Sequence, residues 1–250
     1  YDLKNDIEAL SSTNFDGFEF PDLFFFQPKK ILVLRGNQLE IQYLNMCEDE
    51  LEDDFNEITT FQLQTTISSS TIAVQQRISK VNYISKVKAM LDHIHRGDIY
   101  EANFCMEFFA ENAVLNPIMK FQKLNEISKP PFAVFLKNNK QFLLSASPER
   151  YLKKEGDNLI SQPIKGTAKR FLAGFEGEKS RIELASDPKE RAENIMITDL
   201  VRNDLSRTAQ KGSVQVKESC GIYSFLQVHQ MISTITSKLD PKYAAVDAIK

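Results

Sequence analysis

Residues 141–167 read QFLLSASPERYLKKEGDNLISQPIKGT, and this stretch decides how the chain pairs its strands. Its first part, 141–146, is separated from an apolar run at 132–136 by Lys137-Asn138-Asn139-Lys140. The Asn pair tolerates positive φ, which predicts a hairpin. The chain then passes through Ser147-Pro148-Glu149-Arg150 into a second hairpin-like unit. That unit is 151–154 and 158–162 around Glu155-Gly156-Asp157, and it ends on Pro163-Ile164-Lys165-Gly166-Thr167. Glu149 and Lys165 are therefore expected near one another, at the same end of neighbouring strands.

Working outward, 29–35 and 39–43 form a further expected hairpin around Gly36-Asn37. Leu39, Ile41 and Tyr43 alternate with Glu40 and Gln42, giving one buried and one wet face. The acidic run 46–58 reads as a solvated loop or helix, and the Ser/Thr-rich 65–72 as a connector. Over 79–96 the apolar period becomes helical, with Tyr83, Val87, Met90, Leu91 and Ile94 on one face and Gly97 as the stop. Residues 99–109 return to strand-like composition, and Asn116-Pro117 opens a helix to about 125. Asp187-Pro188-Lys189-Glu190 is a strong helix start, with Asp187 as N-cap, Pro188 at the first position and Glu190 completing a capping box. That helix is expected to run to about 203, followed by strands at 214–216 and 226–238. Asp240-Pro241 opens a last helix, and the sequence ends inside it at Lys250. With no initiating Met and this ending, the natural protein is expected to extend beyond these residues.

Composition narrows the function classes. The chain has 250 residues, 42% hydrophobic and 26% charged, enough for one domain with a sizeable core. A net charge of −3 and the lack of a basic run argue against nucleic acid as a partner. No apolar run approaches the roughly 18–20 residues of a membrane span. The three Cys (Cys47, Cys105, Cys220) are far apart and form no CxxC pair, so disulfides and zinc are not expected, and a reducing cytoplasm is the expected setting.

The chemistry-bearing residues each have two readings. Lys165, taken alone, is a solvated charge. Placed between a strand and Gly166-Thr167 it can enter a pocket, where desolvation disfavours an ammonium and a lysine can serve as nucleophile or base. Glu149 is either a partner for Arg150 or a general acid. Glu193 either pairs with Arg191 or Arg202 or is directed at a metal; Mg²⁺ would need another carboxylate or the substrate's oxygens besides. His229, in an alternating strand, is either a half-buried hydrogen-bonding residue or part of a site. Asp199 lies on another sector of the Glu193 helix, where a structural hydrogen bond is the plain reading. His93 and His95 are read as surface residues.

Several longer blocks occur in order. They are Gly97-Asp98-Ile99-Tyr100-Glu101-Ala102-Asn103, Ser147–Tyr151, Pro163–Thr167, Asp187–Asn194, Asp199–Leu205, Gly212-Ser213-Val214 and Val228–Ser233. Together they resemble the chorismate-binding enzymes, a family that includes anthranilate, isochorismate and aminodeoxychorismate synthases. The resemblance covers about residue 80 to the end, and residues 20–45 resemble the family's N-terminal region less specifically. It implies an α/β (α+β) fold, a large sandwich of antiparallel sheets with helices outside, and one catalytic domain over 1–250. Residues 1–78 would be its strand-rich N-terminal part and 79–250 its motif-bearing part.

Position 165 separates the branches. Lys there is similar to the aminodeoxychorismate synthases, whereas the anthranilate and isochorismate synthases normally carry Ala. The implied roles are Lys165 as covalent nucleophile, Glu149 as general acid and Glu193 as Mg²⁺ ligand. Gly166 and Thr167 would contact the substrate carboxylate region, and His229 with Asp199 would help orient the ring. Chorismate would be the substrate and 4-amino-4-deoxychorismate, on the route to para-aminobenzoate and folate, the product. Ammonia would come from a separate glutamine amidotransferase subunit, since no such nucleophilic Cys motif is present. The family pattern continues beyond 250 with a Gly-Ala-Pro-Lys segment and a second metal-binding Glu, so an isolated chain of this length is expected to be inactive. The tryptophan-binding motif of regulated relatives is not recognisable, and feedback by tryptophan is not expected.

Overall fold

The computed structural model describes residues 8–62, 72–171 and 175–249. The chain divides into two compact units, 1–67 and 68–250. The expected connector at 65–72 falls outside the described residues except for its last position.

In the first unit, β1 (Lys30–Arg35) and β2 (Gln38–Tyr43) form the expected hairpin, with Gly36 at φ +60° in the turn. Ile41 and Tyr43 are half-buried on the expected face, while Leu39 remains exposed. The acidic run is a 3₁₀ turn, Asn45–Glu50, followed by α1 (Leu51–Thr60). What joins hairpin to helix is charge. Lys30 pairs with Glu50 at 2.6 Å and with Asp54, which also accepts the Tyr43 hydroxyl.

The second unit begins with β3 (Gln75–Gln76) and α2 (Lys80–Arg96). Ser79 caps the start of α2 by accepting from the Asn82 N–H, and Gly97 at φ +82° ends it. Of the expected apolar stripe, Tyr83, Val87, Met90 and Ile94 are half-buried and Leu91 is exposed. The strand expected over 99–109 is reduced to β4 (Phe108–Phe109), paired with β3; the rest is irregular. α3 (Pro117–Ser128) follows, capped by Asn116.

β5 (Phe132–Asn138) and β6 (Gln141–Ser147) are the expected hairpin, with Asn139 at φ +52°. β7 (Arg150–Glu155) and β8 (Asn158–Gln162) are the next, turning at Gly156. β9 (Ile164–Lys169) continues directly from β8. Helix α4 (Phe175–Ser186) had no counterpart in the sequence reading. Its few apolar positions are scattered, so no helical stripe announces it. α5 (Pro188–Ser206) starts at the expected Asp187 cap, which accepts from the Lys189 and Glu190 N–H groups.

β10 (Gln215–Ser224) is longer than the expected 214–216, and β11 (Val228–Lys238) closes the sheet. All described pairings are antiparallel. β11 is central: β10 lies along one edge, and β8 and β9 lie end to end along the other, with β7 outside β8. Along β11 the alternate residues His229, Met231, Ser233, Ile235 and Ser237 are all buried. Met231 packs with Leu184 of α4, and Ile235 packs with Leu205 of α5, so the two helices share this face. The helix expected after Asp240-Pro241 is a turn and a short 3₁₀ segment, Ala245–Ala248.

Candidate active site

Lys165 is the second residue of β9, and its side chain is 21% exposed. The next residue, Gly166, has φ +95°, a conformation that disfavours any side chain. A Cβ there would meet Glu190 and Met231, each at 3.2 Å. Glycine thus lets the start of α5 approach the strand at the lysine.

A bulge underlies this geometry. Gln230 pairs with Thr167 and Ile232 with Ile164, so Met231 alone faces both Lys165 and Gly166. The Lys165 and Met231 carbonyls are met by one side-chain amide instead of the regular ladder. Asn194 of α5, fully buried, donates to the Lys165 carbonyl at 3.1 Å and to the Met231 carbonyl at 2.9 Å. Its own oxygen accepts from Ser233 at 2.5 Å, and the Ser233 hydroxyl accepts from the Cys220 N–H at 3.0 Å. Cys220 itself sits at φ +55° within an irregular part of β10. A buried polar network of this kind, with its partners supplied, specifies one arrangement.

Glu149 is close by. Its Oε1 accepts from the Ile164 N–H at 3.0 Å, one residue before the lysine. It lines a cleft of about 470 Å³ with Ser147, Pro163, Ile197 and Leu200, and Lys165 is not part of that lining. Arg150 lines the same cleft, bonds Gln162 at 2.9 Å and covers the Phe132 ring at 4.7 Å. The expected proximity of Glu149 and Lys165 holds. It arises because β7 starts beside the end of β8 and β9 follows at once, and not because β7 and β9 pair.

Lys165 is not surrounded by apolar groups alone. Its ammonium donates to the Glu101 carboxylate, whose side chain is 31% exposed. The sequence reading missed this pair. The signal was the block beginning Gly97-Asp98, but a strand over 99–109 gave Glu101 no particular partner. In the irregular segment that replaces the strand, Glu101 is free to reach across 64 residues.

The other candidates divide. Glu193 is half-buried and pairs with Lys189 at 3.4 Å; Arg191 and Arg202 are engaged elsewhere. Glu190 does not complete a capping box. Its carboxylate lies against Gly166, and Lys189 approaches it at 3.8 Å as well. Thr167 is exposed beside Gln230. His229 is buried, its Nδ1 2.8 Å from the Ser224 hydroxyl. Burial, and next the Arg170 guanidinium, hold its pKa below the usual imidazole value. The structure does not bring Asp199 to the others: its side chain is 68% exposed and pairs with Arg202 at 2.6 Å. Geometry on α5 explains this, since six residues are well short of two turns. His93 is on the surface, 2.8 Å from Asp98.

The family model for chorismate binding enzymes matches residues 1–250. The chain belongs to that family. It is 30% identical to aminodeoxychorismate synthase component 1 of Klebsiella aerogenes over 100% of its own length and 55% of the relative's. Against the protein of the same name from Escherichia coli (strain K12) the identity is 35%, over 70% of this chain and 39% of that one. The chain thus spans about half the length, or less, of these relatives. In solved structures, anthranilate synthase component I from Streptococcus pneumoniae TIGR4 superposes with a TM-score of 0.85. The match covers 99% of this chain and 57% of that one at 22% identity, which establishes a shared fold. Of the blocks that resemble the family, Pro163–Thr167, Asp187–Asn194 and Val228–Ser233 meet at the bulge under Lys165, and Glu101 and Glu149 reach β9 from two others, whereas Asp199–Leu205 forms the last turns of α5 and Gly212-Ser213-Val214 lies by Lys238 at the far end of β11. Among the described residues no helix is long and apolar enough to cross a membrane.

Proposed function

We propose that this chain carries the chorismate chemistry of an aminodeoxychorismate synthase, with Lys165 as the covalent nucleophile. The observation that carries the reading is the placement of that amine. It is half-buried, held on a bulge by Asn194, with the Glu149 carboxyl bonded to the adjacent peptide. The names of the relatives support the same branch.

In this reading the Lys165 amine attacks C2 of the ring while the C4 hydroxyl departs. Glu149 supplies the proton that turns the leaving hydroxide into water. Ammonia then attacks C4 and Lys165 is expelled from C2, so two displacements replace one difficult substitution. Gly166 and Thr167 contribute backbone amides near the substrate carboxylate region, and His229, on the strand that pairs with β9, helps orient the ring. Ammonia is delivered by a glutamine amidotransferase subunit, in keeping with the designation "component 1" of the relatives.

Magnesium belongs to the proposal. Among the described residues no group of three or more His, Cys, Asp or Glu side chains could hold a metal. Glu193 and Glu190, one helical turn apart and both reached by Lys189, nevertheless form a two-carboxylate set. That set fits a hard cation that completes its shell with water and substrate oxygens. When bound, Mg²⁺ would neutralise the ring carboxylate.

The test is product analysis with the full-length natural polypeptide, chorismate, Mg²⁺ and ammonium. Wild type should form the C4-amino product and, on trapping, an adduct on Lys165. Lys165→Ala should lose the adduct and give slow C2-substituted products, because water or ammonia can enter the vacated space. An adduct on another residue, or a mutant making the C4-amino product at the wild-type rate, would remove the covalent lysine and favour the anthranilate-type reaction.

A further inference from the structure

We infer that Glu101 is the group that exchanges a proton with Lys165 during each turnover. The inference rests on the covalent-lysine reading above and adds a residue to it. An ammonium has no lone pair, so Lys165 must lose a proton before it can bond to carbon and regain one after it leaves. Glu101 is the carboxylate in hydrogen-bond contact with Nζ. Glu149 cannot do both jobs. Its Oε1 is committed to the Ile164 N–H, and its proton is required by the departing hydroxyl.

The proton count closes with two carboxyls. Nζ gives a proton to Glu101, leaving a neutral amine and a neutral acid. The Nζ lone pair forms the bond to C2, the ring π electrons shift, and the C4–O bond breaks with its electron pair. Glu149 protonates that oxygen, releasing water and becoming a carboxylate. Ammonia then bonds to C4, the π electrons shift back, and the C2–Nζ bond breaks with its pair on nitrogen. The C4 ammonium returns a proton to Glu149, and Glu101 returns its proton to Lys165. Each group ends as it began, and chorismate plus ammonia has become amino product plus water.

The placement of Glu101 suits this role. It stands on an irregular segment after the Gly97 helix stop, so its position does not depend on a strand ladder. Both partners keep some contact with solvent, 21% and 31%, so the pair can open to admit a substrate.

The experiment uses the full-length polypeptide, chorismate without ammonia, and the rate at which Lys165 acquires the adduct, followed by peptide mass analysis. Glu101→Gln keeps the size and a hydrogen bond but cannot accept the proton. The adduct should still form on Lys165, about 10²-fold more slowly, with chorismate affinity little changed. Glu101→Asp should restore part of the rate. Glu101→Ala should be accelerated by added formate, a small carboxylate able to occupy the vacated space. Normal adduct formation in Glu101→Gln, a parallel loss of binding and rate, or indifference of Glu101→Ala to formate would each overturn the assignment of Glu101. Absence of any Lys165 adduct in the wild type would instead overturn the covalent reading itself.

Discussion

The hairpin–helix unit at the N-terminus and the sheet around β11 are built from opposite materials. In the first, Lys30, Tyr43, Glu50 and Asp54 meet in a charged cluster, and Cys47 is the buried apolar residue among those described. In the second, Leu159, Leu205, Ile235 and Leu239 form a dry cluster, and the buried polar groups beside Lys165 are neutral amide and hydroxyl. Ion pairs that keep contact with solvent, as Lys30 and Asp54 do while half-buried, gain little over water because solvent screens them. Apolar burial and satisfied internal hydrogen bonds hold a geometry much more tightly. A reactive amine must be held to within about 0.5 Å of its productive position, so it is consistent that the bulge under Lys165 lies in the second kind of structure.

The sharpest way to break this contrast is in the dry cluster. Ile235 is fully buried, between Leu159 and the α5 residue Leu205. Ile235→Ala should cost about 2–5 kcal/mol, the usual range for such a truncation. Denaturant unfolding followed by a probe in the second unit should show the loss. A midpoint within error of wild type would mean that the cluster does not hold the sheet.

The parts of this contrast that were legible in the sequence are the local ones. Turn residues at Gly36, Asn139 and Gly156, the Gly97 stop, and the helix starts at Asn116-Pro117 and Asp187-Pro188 announce their elements because each acts within four residues. Glu149 and Lys165 were legible because the hairpins carrying them are short. Glu101 and Asn194 were not, since their contacts to Lys165 span 64 and 29 residues and depend on a bulge that no local pattern encodes. Glu190 was read as a cap because the local spacing fits one; the close approach allowed by Gly166 gave it another place. Helix α4 was invisible because its apolar positions do not repeat with a helical period.

A middle-sized effect is expected at His229, where the second unit buries a titratable group. Burial, with Arg170 and Arg181 nearby and Glu178 opposing them, lowers its pKa in the folded state. The unfolded chain therefore binds the proton more readily, and folding stability falls as pH drops through the ordinary imidazole value of about 6.5. Above that value the histidine is neutral in both states and contributes no slope. Stability measured between pH 5 and pH 8 (about the window in which imidazole titrates) should decline on the acid side in wild type. It should decline less in His229→Gln, which keeps a polar side chain without the titration. An equal slope in both proteins would place the acid sensitivity elsewhere.

The smallest effect is expected where charge does the holding. Lys30 first, and the Tyr43 hydroxyl next, keep the Asp54 carboxyl below its usual pKa, while Asp54 and then Glu50 push the Lys30 ammonium up. For a carboxyl lowered on folding, the stabilising contribution is present above its unfolded value of about 3.9 and is lost as pH falls through the folded one. Lys30→Met keeps a flexible side chain of similar length and removes the charge. It should return the Asp54 titration, followed by NMR of its side-chain carboxyl, toward the ordinary value, yet change the unfolding midpoint only slightly. That slight change should vanish in high salt, because screening already removes most of what the pair contributes. A loss of stability from Lys30→Met comparable to that from Ile235→Ala would show that the N-terminal unit depends on its charged cluster as the sheet depends on its core, and the contrast between them would fail.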